Sequence, residues 1–343
     1  MLLNIIKGLD RGKFAPAVCV LRKGGHLECD IEQQGIPLLE APFAVSARPY
    51  RSLPFRAWDA ARFFQPYGFD IWHSFHYIDD YTEPLIARLA GARAWIYTKK
   101  NMSWGGNGWR LRSLLASRIV ADNSTMLSSF FRSRLLAPKT QLIGHGVDTR
   151  EFDHRPPASG LRERLAIDRD ALLVGCVAEL LPVKGHPTLV RAMARVPGVH
   201  LLLAGRPLDR EYSDSLRQLS EELGLMERVH FFGSVQDVPG FLAELDIFVL
   251  PTWAKWRMEG CPVALLEAMA CGVACIATDI PGSRDVIENG LSGVLVPPED
   301  EVALAQQILS LAASPARRRQ LSEAARRRIL AHYTIEREVA AYE

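Results

Sequence analysis

A short apolar run that leads through a loop into a helical segment constrains this chain most strongly. The run is Asp246-Ile-Phe-Val-Leu-Pro251, whose strand-forming residues predict a buried strand that ends at the carboxyl edge of a sheet. Pro262 then suits the first turn of a helix, where its missing N–H would be unpaired in any case. Gly272 can take the left-handed conformation that ends a helix. The sequence therefore predicts a helix over about 262–271.

Strands and helical patterns alternate along most of the chain, which predicts an α/β protein with parallel sheets. The clearest strand covers residues 171–178, a near-continuous apolar run typical of a parallel strand covered on both faces. A chain of 343 residues is long enough for two domains, each with its own core. The Pro- and Gly-containing segment 153–160 predicts the linker. We therefore expect an N-terminal domain over 1–155 and a C-terminal domain over 165–330.

Two carboxylates accompany the predicted helix start. Glu259 lies in the loop just before it, and Glu267 lies in the second turn, surrounded on the helical wheel by apolar residues. An unpaired charge would be costly in such surroundings. The helix start itself favours a phosphate, because its backbone N–H groups are unpaired and it is the positive end of the dipole. Since carboxylates accept hydrogen bonds from hydroxyls, the stretch predicts a nucleotide-sugar site. The alternative is a solvated loop acid and a surface helix former.

Composition excludes several classes of protein. Charges are nearly balanced, with 41 Lys and Arg against 39 Asp and Glu, so no nucleic-acid partner is indicated. The first ten residues lack the features of a secretory signal, and no apolar segment reaches the roughly 18 to 20 residues that cross a bilayer. The six cysteines form no CxxC pair and no zinc-finger spacing. We expect a reduced, cytoplasmic protein.

The stretch that contains both carboxylates also resembles a known family. The sequence E-G-C-P-V-A-L-L-E-A-M-A-C-G over residues 259–272 is similar to the Glu-x7-Glu donor signature of the retaining glycosyltransferases of family 4. The resemblance implies the GT-B fold, in which two Rossmann-like, doubly wound parallel-sheet domains face a cleft. It assigns the acceptor to the N-terminal domain and the nucleotide sugar to the C-terminal domain. It also implies that the terminal helix, residues 331–343, crosses back to the N-terminal domain.

The resemblance implies roles for individual residues in the donor site. Glu259 would hold hydroxyls of the donor sugar and Glu267 those of the ribose. Lys184 would grip the diphosphate, and a neighbouring Arg of the family is replaced here by Glu179. Glu259 and Lys184 are the expected catalytic residues, and no metal or other cofactor is required. The remaining donor-binding residues implied by the resemblance are Gly185, Val235, Gly260, Cys261, Pro262 and Val263.

The acceptor side carries weaker signals. Asp70-Ile-Trp-His73 resembles the family's D-x-x-H at the matching strand, and Lys99 and Lys100 stand near a position where many members have His. These lysines would face an anionic acceptor or a donor phosphate. A packing or solvent-exposed histidine and exposed loop lysines are the ordinary alternatives.

The N-terminal region differs from the family in one respect. The chain opens on a helical pattern over residues 1–10, whereas the family opens on a strand and a glycine-rich turn, so we expect that the first strand is missing from this sequence. Further along, residues 49–64 alternate Arg with Trp and Phe. A solvated amphipathic helix is the main interpretation, and a helix on a membrane surface is the alternative.

These inferences predict a retaining, metal-independent glycosyltransferase. The donor would be a UDP- or GDP-linked sugar and the acceptor a glycan, a lipid or a small molecule. We expect a cytoplasmic location, and peripheral contact with a membrane is left open. Two other hypotheses remain: a degraded or truncated GT-B protein that binds nucleotide or glycan without catalysis, and a sugar-nucleotide epimerase, which the two carboxylates make less favoured.

Overall fold

The computed structural model describes residues 2–25, 27–76, 81–104, 106, 108–157, 160–168, 170–254 and 260–343. The chain divides into two compact units. The first comprises residues 1–144 together with 338–343, and the second comprises residues 145–337. Each unit has the alternation of strands and helices that the sequence predicts.

The first unit contains two parallel sheets. A two-stranded sheet pairs β1 (Val18–Val20) with β2 (Leu38–Glu40), and a four-stranded sheet has its strands in chain order. The strands of the larger sheet are β3 (Ile71–Ser74), β4 (Ala94–Lys99), β5 (Arg118–Ala121) and β6 (Thr140–Leu142). The helices are α1 (Leu2–Gly8), α2 (Glu28–Gln33), α3 (Leu53–Phe64), α4 (Thr82–Leu89), α5 (Trp109–Leu115) and α6 (Ser124–Ser129).

Two helical boundaries in this unit differ from the sequence prediction. The pattern over 124–136 predicts one helix, but α6 ends at Ser129, and Phe131 is buried in the core beside β4 and β5. The Trp- and Gly-rich segment 103–109 predicts a loop, yet its last residue begins α5. In both cases packing of an aromatic side chain, Phe131 or Trp109, against the core outweighs local helical propensity.

A buried charged network lies at the end of β3 in the first unit. The Glu83 carboxylate accepts hydrogen bonds from Trp72 Nε1 at 3.0 Å and from Arg112 Nη2 at 2.9 Å, and its Oε2 lies 2.8 Å from His76 Nε2. Arg112 also donates to Ser74 Oγ at 2.7 Å. Both charged side chains are about 2% exposed. Burial raises the pKa of Glu83, but His76 and Arg112 more than offset this, so its pKa lies below the usual value.

The second unit is built on one six-stranded parallel sheet with the order β12-β11-β10-β7-β8-β9. Residues alternate along each strand between two apolar cores, one on each face, so that Leu173 and Phe248 pack on one side and Val174 and Ile247 on the other. The strands are β7 (Leu172–Val177), β8 (Val199–Ala204), β9 (Val229–Gly233), β10 (Ile247–Leu250), β11 (Ala274–Thr278) and β12 (Val294–Val296). The helices are α7 (Leu161–Arg164), α8 (His186–Met193), α9 (Arg210–Glu222), α10 (Val238–Ala243), α11 (Val263–Ala270), α12 (Pro281–Val286), α13 (Glu301–Ala312) and α14 (Pro315–His332).

The segment predicted as a linker is tied to the second unit. His154 Nδ1 lies 3.2 Å from the carbonyl oxygen of Cys271, Arg155 pairs with Asp237 at 2.8 Å, and Arg326 pairs with Asp153. The division between the units therefore falls before it, at His145.

The last helix, α15 (Ile335–Tyr342), returns the chain to the first unit from residue 338 onward. Val339 is buried there, and a Cβ on Gly8 of α1 would lie 2.6 Å from its Cγ2. The glycine thus allows α1 and α15 to approach closely. Tyr342 OH lies 3.4 Å from Thr98 Oγ1 at the end of β4.

We expect Glu83→Ala to lower the free energy of unfolding by about 3–5 kcal/mol, because it leaves the buried Arg112 guanidinium without its charged partner. Urea denaturation followed by circular dichroism measures this difference. The matched control is Asp70→Ala, which removes the exposed pair with Arg93 in the same unit and should cost less than about 1 kcal/mol. Equal losses in the two variants would contradict a structural role for the buried network.

Candidate functional site

The sheet of the second unit reverses its strand order beside β7. From β7 the chain builds β8 and β9 on one side and then moves to β10, β11 and β12 on the other. The loops that leave β7 and β10 therefore diverge at the carboxyl edge of the sheet. Such a point is where open α/β sheets bind ligands, because the diverging loops leave a crevice.

The loops after β7 and β10 are in direct contact through Gly185. This residue has φ +70°, and a Cβ on it would lie 1.9 Å from the carbonyl oxygen of Pro251, so any side chain would force the loops apart. Trp253 joins them a second time, because its N–H donates to Val183 O at 2.9 Å and its indole Nε1 to Thr188 Oγ1 at 3.0 Å. The backbone ahead of α8 is thereby fixed beside the end of β10.

A second close approach brings the start of α11 against the start of α12. A Cβ on Gly282 would lie 2.5 Å from the carbonyl oxygen of Gly260 and 3.1 Å from Pro262 Cδ. Gly260 and Pro262 are buried, Cys261 is half-buried, and Val263 is exposed. Pro262, predicted in the first turn, instead precedes α11 in an extended conformation with φ −82° and ψ 97°, so the helix begins one residue later than predicted, with its first backbone N–H groups at this edge.

Glu267 lies on α11 among apolar neighbours and is half-buried. Burial raises the pKa of its carboxyl to about 7, and the charge of Glu151 adds to the increase. This agrees with the sequence argument that an unpaired charge at Glu267 is costly. A group that donates hydrogen bonds to the carboxylate would lower this pKa again.

Lys184 is half-buried at the end of the loop after β7, directly before Gly185. His186 follows two residues later in the chain. Burial, and to a smaller extent the charge of Lys184, lower the pKa of His186 to about 4, so its imidazole is neutral at physiological pH. Glu179, the residue that stands at the family's Arg position, pairs with Arg206 at 3.3 Å. Arg206 follows β8, and sequence reasoning did not single it out.

The other predicted donor residues have different outcomes. Val235 is half-buried and packs against the apolar core that includes α11. Glu259 lies outside the described residues, as do the bulky loop residues 255–258 that precede it. Lys184, Gly185 and the start of α11 thus lie at the carboxyl edge of one sheet, and the role of each remains a prediction.

His73, proposed for the acceptor side, is a packed residue of the first unit. Its Nε2 lies 2.9 Å from Thr98 Oγ1, and its ring contacts the rings of Phe75 and Tyr342 at centroid distances of 4.0 and 5.5 Å. Burial lowers its pKa to about 3, so the side chain is neutral at physiological pH. Its surroundings match the packing alternative.

The two lysines differ in their surroundings. Lys99 is only 6% exposed, and its ammonium donates to Asn101 Oδ1 at 2.6 Å and to the carbonyl of Ser103, and lies 3.9 Å from the ring of Trp104. Its charge therefore holds the loop after β4 together. Lys100 is half-buried, and burial lowers its pKa.

Two features of the described residues were not found from the sequence. Ser283 in α12 is fully buried and has no hydrogen-bond partner for its hydroxyl among the described residues, one position after the glycine that contacts Gly260. The network of Glu83, Arg112 and His76 is the other. Neither has a local sequence signal, because the members of each come together only through the fold.

Within the described parts of the chain, no group of three or more His, Cys, Asp or Glu side chains is placed to hold a metal ion. None of the described helices is long and apolar enough to cross a membrane.

The fold is that of the GT-B class. The structure matches that of HepE from Anabaena, solved with UDP and glucose, with a TM-score of 0.83 and 21% identity, over 99% of this chain and 93% of HepE. The predicted fold class, with two Rossmann-like domains, is thereby confirmed.

Sequence comparison identifies the family. The model of the glycosyl transferases group 1 matches residues 159–328. The chain is 32% identical over 265 residues to the lipopolysaccharide core biosynthesis mannosyltransferase LpcC of Rhizobium leguminosarum bv. viciae. The aligned residues make up 75% of this chain and 68% of LpcC. The chain belongs to the glycosyl transferase group 1 family.

A further relative is the GDP-mannose-dependent alpha-(1-6)-phosphatidylinositol monomannoside mannosyltransferase of Mycolicibacterium smegmatis. It is 30% identical over 258 residues, which are 70% of this chain and 66% of the relative. The chain thus spans just under two thirds of that protein's length.

We expect Glu267→Gln to stabilise the protein at pH 8 and to have little effect at pH 4.5. Because the folded-state pKa of Glu267 is raised to about 7, the folded protein retains a proton that the unfolded chain loses, and stability falls as pH rises from about 4.5 to about 7. The gain at pH 8 should be about 1–3 kcal/mol, since the side chain is only half-buried.

Urea denaturation without nucleotide, at pH 4.5, 6 and 8, measures this difference. Glu221→Gln, on the exposed side of α9 in the same unit, is the control that should show no such trend. A difference between Glu267→Gln and the parent that does not grow with pH would contradict the buried position of the carboxyl.

Proposed function

We propose that this protein is a retaining glycosyltransferase of family 4 that moves a hexosyl group from a nucleotide-diphosphate sugar to a hydroxyl acceptor. The observation that supports it most is the arrangement of loops at the carboxyl edge of the sheet in the second unit. There the Lys184–Gly185 loop packs against the end of β10, and α11, the helix that follows β10, starts at the same edge of the sheet with a half-buried carboxyl, Glu267, one turn into the helix.

The chemical demand of the reaction is stabilisation of the negative charge that builds on the departing diphosphate. In this proposal Lys184 and the backbone N–H groups of Gly260, Cys261 and Val263 meet that demand, so that no metal ion is needed. Gly185 allows the lysine loop to approach the end of β10 closely enough for both to reach the same ligand. Glu259 binds hydroxyls of the transferred sugar, and the leaving phosphate accepts the acceptor's proton.

The nucleoside end is assigned to Glu267 and Val235. The carboxylate of Glu267 accepts hydrogen bonds from the two ribose hydroxyls, which compensate for the cost of ionising a carboxyl in apolar surroundings. Val235 follows β9 at the same edge of the sheet and contacts the base. Arg206, which pairs with Glu179 of the loop after β7, could add positive charge to the site.

The relatives narrow the substrates. The Mycolicibacterium relative uses GDP-mannose and acts on a phosphatidylinositol mannoside, LpcC is a mannosyltransferase of lipopolysaccharide core synthesis, and HepE was solved with UDP and glucose. We propose by analogy a UDP- or GDP-hexose donor and a glycan or lipid acceptor. A small-molecule acceptor is the remaining alternative.

Glu267→Ala should raise the dissociation constant for UDP and GDP at least tenfold, because each lost hydrogen bond to a charged group contributes about 1.5–3 kcal/mol. Lys184→Ala should weaken the nucleoside diphosphates but hardly affect the matching nucleosides. Isothermal titration calorimetry measures both, and Glu221→Ala provides the matched control on the surface of the same unit.

The two variants test separate parts of the site. An unchanged nucleotide affinity in Glu267→Ala would remove this residue from the donor site. Equal weakening of nucleoside and nucleoside diphosphate in Lys184→Ala would show that the lysine supports the loop rather than the phosphates.

A panel of UDP- and GDP-hexoses, incubated with glycan and lipid acceptors, should give nucleotide release that depends on the acceptor. Nuclear magnetic resonance of the product should show the anomeric configuration of the donor. Binding without release would instead support a non-catalytic GT-B protein. An altered donor sugar without an acceptor would indicate an epimerase.

A further inference from the structure

Trp253 joins the loop after β10 to both ends of the short segment that carries Lys184. Its backbone N–H donates to Val183 O at 2.9 Å, and its indole Nε1 donates to Thr188 Oγ1 at 3.0 Å. Val183 directly precedes Lys184, and Thr188 lies in the first turn of α8. We call these two hydrogen bonds the Trp253 bridge. Residues 184–187 therefore lie between two points that one tryptophan fixes.

The ring of Trp253 also lies against Gly185. A Cβ on this glycine would be 2.8 Å from Trp253 Cδ1, and the glycine has φ +70°. The contact and the left-handed backbone conformation together set the direction in which the chain leaves Lys184. The bridge belongs to no helix and to no sheet ladder, so the regular secondary structure does not require it.

The bridge is anchored on the sheet through the residue before the tryptophan. Thr252 is fully buried, and its carbonyl oxygen accepts a hydrogen bond from Thr278 Oγ1 at 2.6 Å. Thr278 is the last residue of β11, and the turn after it leads to Gly282, whose backbone packs against Gly260 ahead of α11. The lysine segment and the start of α11 are thus both held relative to the end of β11.

A lysine that binds phosphate gains affinity from a backbone that is already fixed. Its four-carbon side chain is flexible, and ordering it costs rotamer entropy. If the backbone at Lys184 also had to be ordered when a phosphate bound, the entropic cost of binding would increase. A segment that is fixed in advance leaves only the side chain to be ordered.

We propose that Trp253 is a positioning residue for the diphosphate. It holds the backbone at Lys184 so that the ammonium group reaches phosphates bound at the start of α11. The inference rests on the proposed function, in which Lys184 binds the diphosphate, and it adds the residue that determines how well the lysine does so. Trp253 acts through the lysine and not through a contact of its own with the ligand.

Trp253→Phe tests the bridge, because it keeps an aromatic ring against Gly185 and removes the indole N–H. We expect it to raise the dissociation constants of UDP and GDP about three- to tenfold, the effect of one hydrogen bond, and those of uridine and guanosine less than about twofold. Isothermal titration calorimetry of the full chain measures all four. Trp58→Phe, at an exposed position of α3 in the first unit, is the matched control and should bind like the parent.

Thr188 gives a second way to remove the same bond, and keeps the inference testable if Trp253→Phe does not fold. Thr188→Val removes the acceptor and should weaken UDP and GDP as much as Trp253→Phe. The double variant should be no weaker than either single variant, since all three lack the same bond. Thr188→Ser keeps the hydroxyl and should bind like the parent.

The Lys184→Ala background separates positioning from packing. If Trp253 acts through the lysine, adding Trp253→Phe to Lys184→Ala should leave the remaining affinity for UDP and GDP unchanged. A further loss in that background would show that the tryptophan only packs the loops. Equal weakening of nucleosides and nucleoside diphosphates by Trp253→Phe would show the same, and either result overturns the inference.

Failure of the inference and failure of the proposed function give different results. If the parent binds UDP or GDP, and Trp253→Phe and Thr188→Val bind them with the same affinity, the positioning role is wrong and the proposed function stands. If the parent binds neither nucleoside diphosphate, the proposed function and this inference are both wrong. Circular dichroism of every variant should match that of the parent.

Discussion

The proposed donor site depends on backbone contacts that only glycine permits. Gly185 lies where a Cβ would be 1.9 Å from the carbonyl oxygen of Pro251, and Gly282 lies where one would be 2.5 Å from that of Gly260. These contacts bring the loop after β7, the end of β10 and the start of α11 to one edge of the sheet. The phosphate-binding chemistry proposed here uses all three, because Lys184 supplies the positive charge and the start of α11 supplies backbone N–H groups.

The first unit uses its polar residues differently. Lys99, which the sequence suggests for the acceptor side, donates to Asn101 in the loop after β4, and His73, suggested for the same side, contacts Thr98 and the ring of Tyr342 in the terminal helix. The charged pair of Glu83 and Arg112 stabilises the end of β3 from inside the core. On the surface of this unit, α3 has exposed aromatic rings and arginines on one face.

The prediction of local structure succeeded where the apolar pattern and the Pro and Gly residues that bound an element indicate the same element. Residues 171–178 and 246–250 form β7 and β10 because a sheet covered on both faces demands continuous apolar runs. Helix α11 begins after Pro262 and ends before Gly272 for the reasons seen in the sequence. The prediction failed over 124–136, where a helical pattern gives way to burial of Phe131. Local propensity amounts to tenths of a kcal/mol per residue, whereas burying a Phe side chain is worth about 1.5–3 kcal/mol.

The sequence by itself determined the fold class, the strand-to-helix frame of the proposed donor site and the buried character of Glu267, because each of these follows from apolar spacing and from Gly and Pro at defined positions. The tertiary structure alone decided which polar groups meet. Arg206 lies beside Glu179, Ser283 comes next to the glycine that contacts Gly260, and Arg112 reaches Glu83 across 29 positions of the chain. Such pairings depend on the order of strands in a sheet and on loop contacts, which local spacing does not encode.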